Sequence, residues 1–236
     1  MRRSNYLFLK GLVAALFCFV LTTGIIFSYV VVNGSGTGYC DPVTDPGCSN
    51  NVSTSGSLSI PVSATLIESL IEEGGGYFLK AFSDILILSN RVEISNLDGI
   101  DYNELQKITE TALTNLQSAK YTYFFLILTA ESTPYNPEVI SKLKDYDYRG
   151  YMIENALNSV VFGEVESYLK KGDITGTYRR LYSNLIVMER LLLSIKYNVD
   201  CNRMPDISKI WTLNENASNN LMFGGYVARI FSEFSK

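Results

Sequence analysis

Residues 105–130 read LQKITETALTNLQSAKYTYFFLILTA, and apolar or small residues recur in them at steps of three and four. Steps of this kind place such residues along one stripe of an α-helix. The stretch therefore predicts a long amphipathic helix whose stripe packs against other helices. The residues of this seam are Leu105, Ile108, Ala112, Leu116, Ala119, Tyr123, Leu126 and Ala130.

Similar spacing continues on both sides of this stretch. It runs regularly from Ile67 to Val92, from Leu181 to Val199 and from Ile210 to Phe231, and less regularly from Val139 to Val160. The connections between these segments are short, which favours antiparallel neighbours. We therefore predict an all-α domain over residues 62–236, an up-and-down bundle of four to five long helices behind an N-terminal transmembrane helix.

Helix-start and helix-stop residues mark the breaks between the segments. A side-chain oxygen just before a helix accepts hydrogen bonds from free backbone N–H groups, and proline is tolerated in the first turn. Glycine is favoured just after the last turn. The residues that fit these roles are Asp101 with Glu104, Asn136 with Pro137, Gly172 followed by Asp173 or Thr175, and Pro205 with Asp206.

The N-terminus carries an apolar stretch, Leu12–Val32, without a charged residue. About 20 apolar residues suffice to span a bilayer as a helix. Arg2, Arg3 and Lys10 precede the stretch, and basic residues stay on the cytoplasmic side. We predict a cytoplasmic basic N-terminus over residues 1–10 and a signal anchor over residues 11–32, with the remaining chain in the periplasm or at the cell surface. The alternative is a cleaved signal peptide and a secreted protein.

Residues 33–61 are rich in Gly, Ser, Asn and Thr, which is typical of a flexible tether. Cys40 and Cys48 lie in this segment, and in an oxidising compartment they can form a disulfide. An alternative use of the same loop is a Ca²⁺ site built on Asp41 and Asp45. Cys201 then remains as a buried thiol, a partner for one of these cysteines or a bridge to another chain.

Charge and composition exclude several classes of function. Without Arg2, Arg3 and Lys10, the chain has 17 Lys and Arg against 24 Asp and Glu, a net charge of −7. Such a charge disfavours nucleic acid as a partner. The chain has no histidine, so a Ser-His-Asp triad is impossible and the commonest metal ligand is missing. We expect no cofactor, no metal and no enzymatic activity.

Two features stand out within the predicted bundle. The run Asp145–Tyr151 concentrates tyrosines beside an arginine, and Tyr146, Tyr148, Arg149 and Tyr151 form a candidate binding face. The alternative is a stretch of packed rings alternating with solvated charges. The second feature is Gly74, Gly75 and Gly76, which together form either a hinge or a place where two helices pack closely.

From these observations the sequence predicts a non-catalytic protein that docks or scaffolds an envelope or surface assembly. It would contact the membrane through Leu12–Val32 and bind a protein partner. A leftover apolar helix face would also allow a homo-oligomer. The alternative is a sensor or transport accessory domain with a small molecule held between helices near the tyrosines. A buried pocket would favour the alternative, whereas a packed core and an exposed apolar stripe would favour docking.

Overall fold

A computed structural model of the protein describes residues 64–233. Within this range the chain forms seven helices and no strand, so the fold is all-α as predicted. None of these helices combines the length and the apolar character needed to cross a bilayer. The predicted anchor, the tether, Cys40 and Cys48 lie outside the described residues. The helices are α1 (Ala64–Asp98), α2 (Tyr102–Ser132), α3 (Pro137–Asp145), α4 (Tyr148–Glu154), α5 (Ser159–Leu169), α6 (Ile174–Asp200) and α7 (Ile207–Glu233).

The four long helices α1, α2, α6 and α7 run alternately up and down. Three pairs of helices are neighbours: α1 with α2, α2 with α6, and α6 with α7. In each pair, residues later in one helix contact residues earlier in the other, so the two helices are antiparallel. These contacts are Asp84–Asn115 and Arg91–Glu104, then Lys120–Glu189 and Glu131–Arg179, then Asn184–Asn216 and Arg180–Asn220. The α1 N-terminus therefore lies at the same end of the bundle as the C-termini of α2 and α7.

The core follows the predicted seams closely. All six predicted seam residues of α6, from Leu181 to Val199, are buried. On α2, six of the eight seam residues are buried, and Ile108 and Tyr123 are partly buried. A fully buried leucine or isoleucine stabilises the fold by about 2 kcal/mol relative to an exposed one, so these rows supply most of the driving force for assembly.

The predicted helix starts are also confirmed. Asp101 caps α2 by accepting hydrogen bonds from the backbone N–H groups of Asn103 and Glu104 at 3.0 and 3.1 Å. Asn136, Asp173 and Asp206 accept equivalent bonds at the starts of α3, α6 and α7. Gly172 has a φ of +71°, a conformation that glycine adopts easily, and it ends the segment before α6.

The third segment differs from its prediction as one long helix. Residues 137–169 form three short helices instead, because Asp147 and Asn158 each cap a new helix and interrupt the previous one. The predicted seam residues Ile153 and Val160 are consequently 65% and 81% exposed. The described chain thus contains four long helices, with α3, α4 and α5 packed at the end where α2 finishes and α6 begins.

Candidate functional site

The most distinctive surface of the described bundle is an apolar stripe on the outward face of α2. We call Tyr121, Phe124, Phe125 and Leu128 the outer stripe. Their exposures are 62%, 44%, 57% and 47%. The spacing of three and four residues puts them on one side of the helix, opposite the buried Leu116, Leu126 and Ala130. A contiguous exposed apolar patch of this kind is typical of an interaction surface.

The outer stripe contacts α6 through one ring pair. The Phe124 ring lies 6.2 Å from the ring of Tyr182 on α6 and 5.9 Å from that of Phe125, measured between centroids. Tyr182 is partly buried. Aromatic pairs at these distances favour defined ring positions, so Phe124 and Phe125 are supported by ring contacts within the protein.

Two ion pairs border the outer stripe, one at each end. Lys120 Nζ lies 2.6 Å from Glu189 Oε2, and Arg179 lies 2.7 Å from Glu131 Oε1. Both pairs join α2 to α6. Between Lys120 and Glu131 the sequence of α2, YTYFFLILTA, contains no charged residue.

The Lys120–Glu189 pair is the less exposed of the two, with side-chain exposures of 19% and 14%. Gln117 donates a second hydrogen bond to Glu189 at 3.0 Å. Burial raises the pKa of Glu189, but these hydrogen bonds and the charge of Lys120 outweigh it, so the net pKa is lowered. Glu189 is therefore ionised at neutral pH, and the pair is held in one geometry.

The structure brings three of the four candidate binding residues together. The Tyr146 ring lies 5.1 Å from Tyr148 and 5.8 Å from Tyr151, and Tyr148 and Tyr151 each lie about 6 Å from Phe162 on α5. Arg149 is exposed. The rings of this cluster pack on one another and on the core between α5 and α7, as the second interpretation of the sequence expects.

Burial also raises the pKa of two of these tyrosines. The Tyr148 hydroxyl is buried and donates a hydrogen bond of 2.7 Å to the Leu143 carbonyl oxygen. Burial raises the pKa of Tyr146 to about 12 and that of Tyr148 further. Both phenols are neutral at physiological pH, as tyrosines ordinarily are, and the Tyr148 hydroxyl serves as a hydrogen-bond donor within the fold.

A cluster of polar side chains centred on Arg180 connects α5, α6 and α7. Arg180 makes two hydrogen bonds to the carboxylate of Glu164, at 2.9 and 2.7 Å, and a third of 2.9 Å to Asn220. Its guanidinium carbon also lies 4.3 Å from the centre of the Phe223 ring. All of these contacts are internal, so the arrangement fixes the position of α5 against the long helices.

The glycine triplet lies within continuous helix. A Cβ atom at Gly74 would lie 3.1 Å from the Tyr123 ring, whereas one at Gly75 or Gly76 would meet nothing within 4 Å. Gly74 therefore allows α1 and α2 to approach closely, which is the packing role that the sequence offered. Packing between helices does not explain why glycine stands at positions 75 and 76.

The remaining features of the described residues are less specific. Cys201 is exposed, so the interpretation of it as a buried thiol is wrong, and it is a free thiol within residues 64–233. An open depression of about 680 Å³ lies nearby, lined by Gly99–Asn103 and Asn202. In the part of the chain that the structure describes, no group of three or more Cys, Asp and Glu side chains is placed to hold a metal ion.

Comparison with known proteins adds no assignment, since no family model, no curated protein and no solved structure matches the chain. The outer stripe was missed by the sequence analysis, which followed the strongest apolar seam of each helix. Its signal was present as a second row with the same spacing, Thr114, Ser118, Tyr121, Phe125, Leu128 and Ser132. Three of those six residues are small and polar, so the row does not stand out by hydrophobicity.

Proposed function

We propose that this chain is a membrane-anchored, extracytoplasmic helical-bundle protein that docks another protein chain through the outer stripe. Leu12–Val32 anchors it, and residues 62–236 form the docking domain in the periplasm or at the cell surface. Cleavage of the N-terminal segment would give a secreted form with the same surface.

The outer stripe is the observation that carries this proposal. The opposite face of α2 already packs in the core, so the fold does not need Tyr121, Phe125 and Leu128 for burial. Large apolar side chains that a fold leaves in water favour a partner, because burying them releases roughly 25 cal/mol for each Å² removed from water. Tyrosine and phenylalanine are also enriched at protein interfaces.

The alternative, a small molecule held beside the tyrosines, receives less support. Tyr146, Tyr148 and Tyr151 stack against one another and against Phe162 at centroid distances that leave each ring in contact with the next. The depression at Gly99–Asn103 lies at the other end of the bundle, beside the α1–α2 connection, and has no ring of this cluster in its lining.

Photocrosslinking in the native membrane tests the docking role. A photoreactive phenylalanine analogue replaces Phe125 in the full-length protein, and the matched control carries it at Thr114, an exposed residue three turns earlier in the same outward row. We expect a covalent protein adduct at position 125 and little or none at position 114. Equal labelling at both positions, or adducts to lipid alone, would contradict protein docking at this surface.

A further inference from the structure

We infer that the outer stripe is covered by the outer stripe of a second copy of this chain. The two α2 helices run antiparallel across the contact, an arrangement called head to tail below. This inference rests on the proposed docking role and names its partner. The two copies are related by a two-fold axis that lies in the interface, perpendicular to α2 and beside Phe125. In this arrangement α2 faces α2 and α6 faces α6.

The charges at the two ends of the outer stripe favour this partner. On α2 the stripe lies between a cation, Lys120, and an anion, Glu131. On α6 the order of signs is reversed, because Glu189 pairs with Lys120 and Arg179 pairs with Glu131. Each end therefore presents one positive and one negative group, arranged oppositely at the two ends.

A head-to-tail copy meets this pattern with opposite charges at every position. Lys120 of one copy comes opposite Glu131 of the other along α2, and Glu189 comes opposite Arg179 along α6. A copy packed in the same direction would instead bring Lys120 to the height of Lys120 and Glu131 to that of Glu131. Complementary potentials of this kind select one orientation among those that bury the same apolar area.

The apolar and charged features share nearly the same centre. The outer stripe spans residues 121–128 and is centred between positions 124 and 125, whereas Lys120 and Glu131 are centred between positions 125 and 126. Eleven residues correspond to about 16 Å along the helix. One two-fold axis thus matches both the stripe and its bordering charges to within a residue.

The size of the stripe shows that the charged border has to take part. With exposures of 44–62% and about 200 Å² for a large aromatic side chain, the four residues expose roughly 400 Å². A stable interface buries about 800 Å² for each partner. The stripe therefore supplies about half of the area, and Tyr182 with the two ion pairs supplies the polar border around it.

Exchanging charges within each ion pair tests the inference without breaking the fold. The first variant, Lys120→Glu with Glu189→Lys, keeps the internal pair but reverses its direction. The second, Glu131→Lys with Arg179→Glu, does the same at the other end. Each variant then faces like charges in a head-to-tail dimer of its own kind, whereas an equimolar mixture of the two regains opposite charges at every position.

The measurement is energy transfer between donor-labelled and acceptor-labelled full-length protein in detergent, over a concentration series. We expect the wild type to dimerise, each charge-exchanged variant alone to show a dissociation constant about tenfold higher, and the mixture to return to within about threefold of the wild type. Phe125→Ser should raise the dissociation constant by about thirtyfold or more.

Two results would overturn the inference. They are a wild-type protein that stays monomeric at the highest concentration, and charge-exchanged variants that dimerise as well alone as in the mixture. Photocrosslinking separates these failures from failure of the proposed function. An adduct at position 125 with a different protein keeps the docking role and removes self-pairing, whereas the absence of any protein adduct removes both.

Discussion

The outward row of α2 divides into two halves that meet the same solvent with different side chains. The first half presents Lys107, Thr111, Thr114 and Ser118, and the second half presents the outer stripe. The buried seam on the other side of the helix is apolar through both halves. The buried seam is therefore the same in both halves and does not explain why the outward row is apolar only in the second half.

Neighbouring residues in the second half allow the sharpest test of this difference. Leu126 is fully buried, and Phe125 beside it is 57% exposed. Leu126→Ala should lower the free energy of unfolding by about 2–5 kcal/mol, because it leaves a cavity in the core. Phe125→Ser should change the stability of the monomer by no more than about 0.5 kcal/mol. Chemical denaturation of the full-length protein followed by circular dichroism, at concentrations below dimerisation, compares the two. Similar losses for both variants would show that Phe125 serves the fold.

The ion pair at the start of the outer stripe gives the next largest effect. Glu189→Gln should cost about 1.5–3 kcal/mol at neutral pH, since it removes the charged partner of Lys120. A carboxylate whose pKa is lowered in the folded state stabilises the fold above its ordinary pKa, and the contribution disappears as the pH falls through the lowered value. The wild type and the variant should therefore converge in acid. A difference that stays constant from pH 7 to pH 3 would contradict this account of Glu189.

The tyrosine cluster contrasts with the outer stripe because its rings are buried or partly buried against the core. Tyr148→Phe keeps the packed ring and removes the hydrogen bond to the Leu143 carbonyl oxygen, so we expect a loss of about 1 kcal/mol. The same substitution should leave dimerisation unchanged. If Tyr148→Phe instead altered adduct formation at position 125, the cluster and the stripe would have to be parts of one surface.

Substitution within the glycine triplet should give the smallest change in the free energy of unfolding. Unlike the substitutions above, it should increase stability. Gly76→Ala should stabilise the protein by up to about 1 kcal/mol, because alanine favours the helix and the added methyl group meets open space. Gly74→Ala should gain less or lose stability, since its Cβ would press against the Tyr123 ring. A stabilised Gly76→Ala protein that no longer docks would assign this glycine to a hinge.

The sequence was sufficient for the long helices and insufficient for the parts that deviate from a regular seam. The seam of α6 and the caps at Asp101, Asn136 and Asp173 follow from local physical preferences, and the structure confirms them. Residues 137–169 do not, because side-chain caps at Asp147 and Asn158 end helices that apolar spacing alone would continue. In this segment the capping side chains, and not the irregular apolar spacing, determine where each helix ends and the next begins.

The candidate site shows a different limit. Sequence spacing singled out Tyr146, Tyr148 and Tyr151, and the structure gathers them, with Tyr148 buried and Tyr146 and Tyr151 partly buried against the core. The surface of interest is a second, mixed row on α2 whose meaning depends on which side of the helix the core occupies. The predicted seam already gives that side, but three of the six residues in the row are small and polar, so hydrophobicity along the sequence does not single the row out.

Hydroxyl-radical footprinting of the protein in its native membrane measures whether another chain covers the outer stripe. Phe125 and Trp211 have similar exposures, 57% and 60%, so Trp211 serves as the internal control for an exposed aromatic side chain. We expect Phe125 to be protected several-fold in the membrane relative to protein diluted in detergent, while Trp211 reacts equally in both. Oxidation of Phe125 at the same rate in both states would show that the outer stripe faces water in the membrane and is not a docking surface.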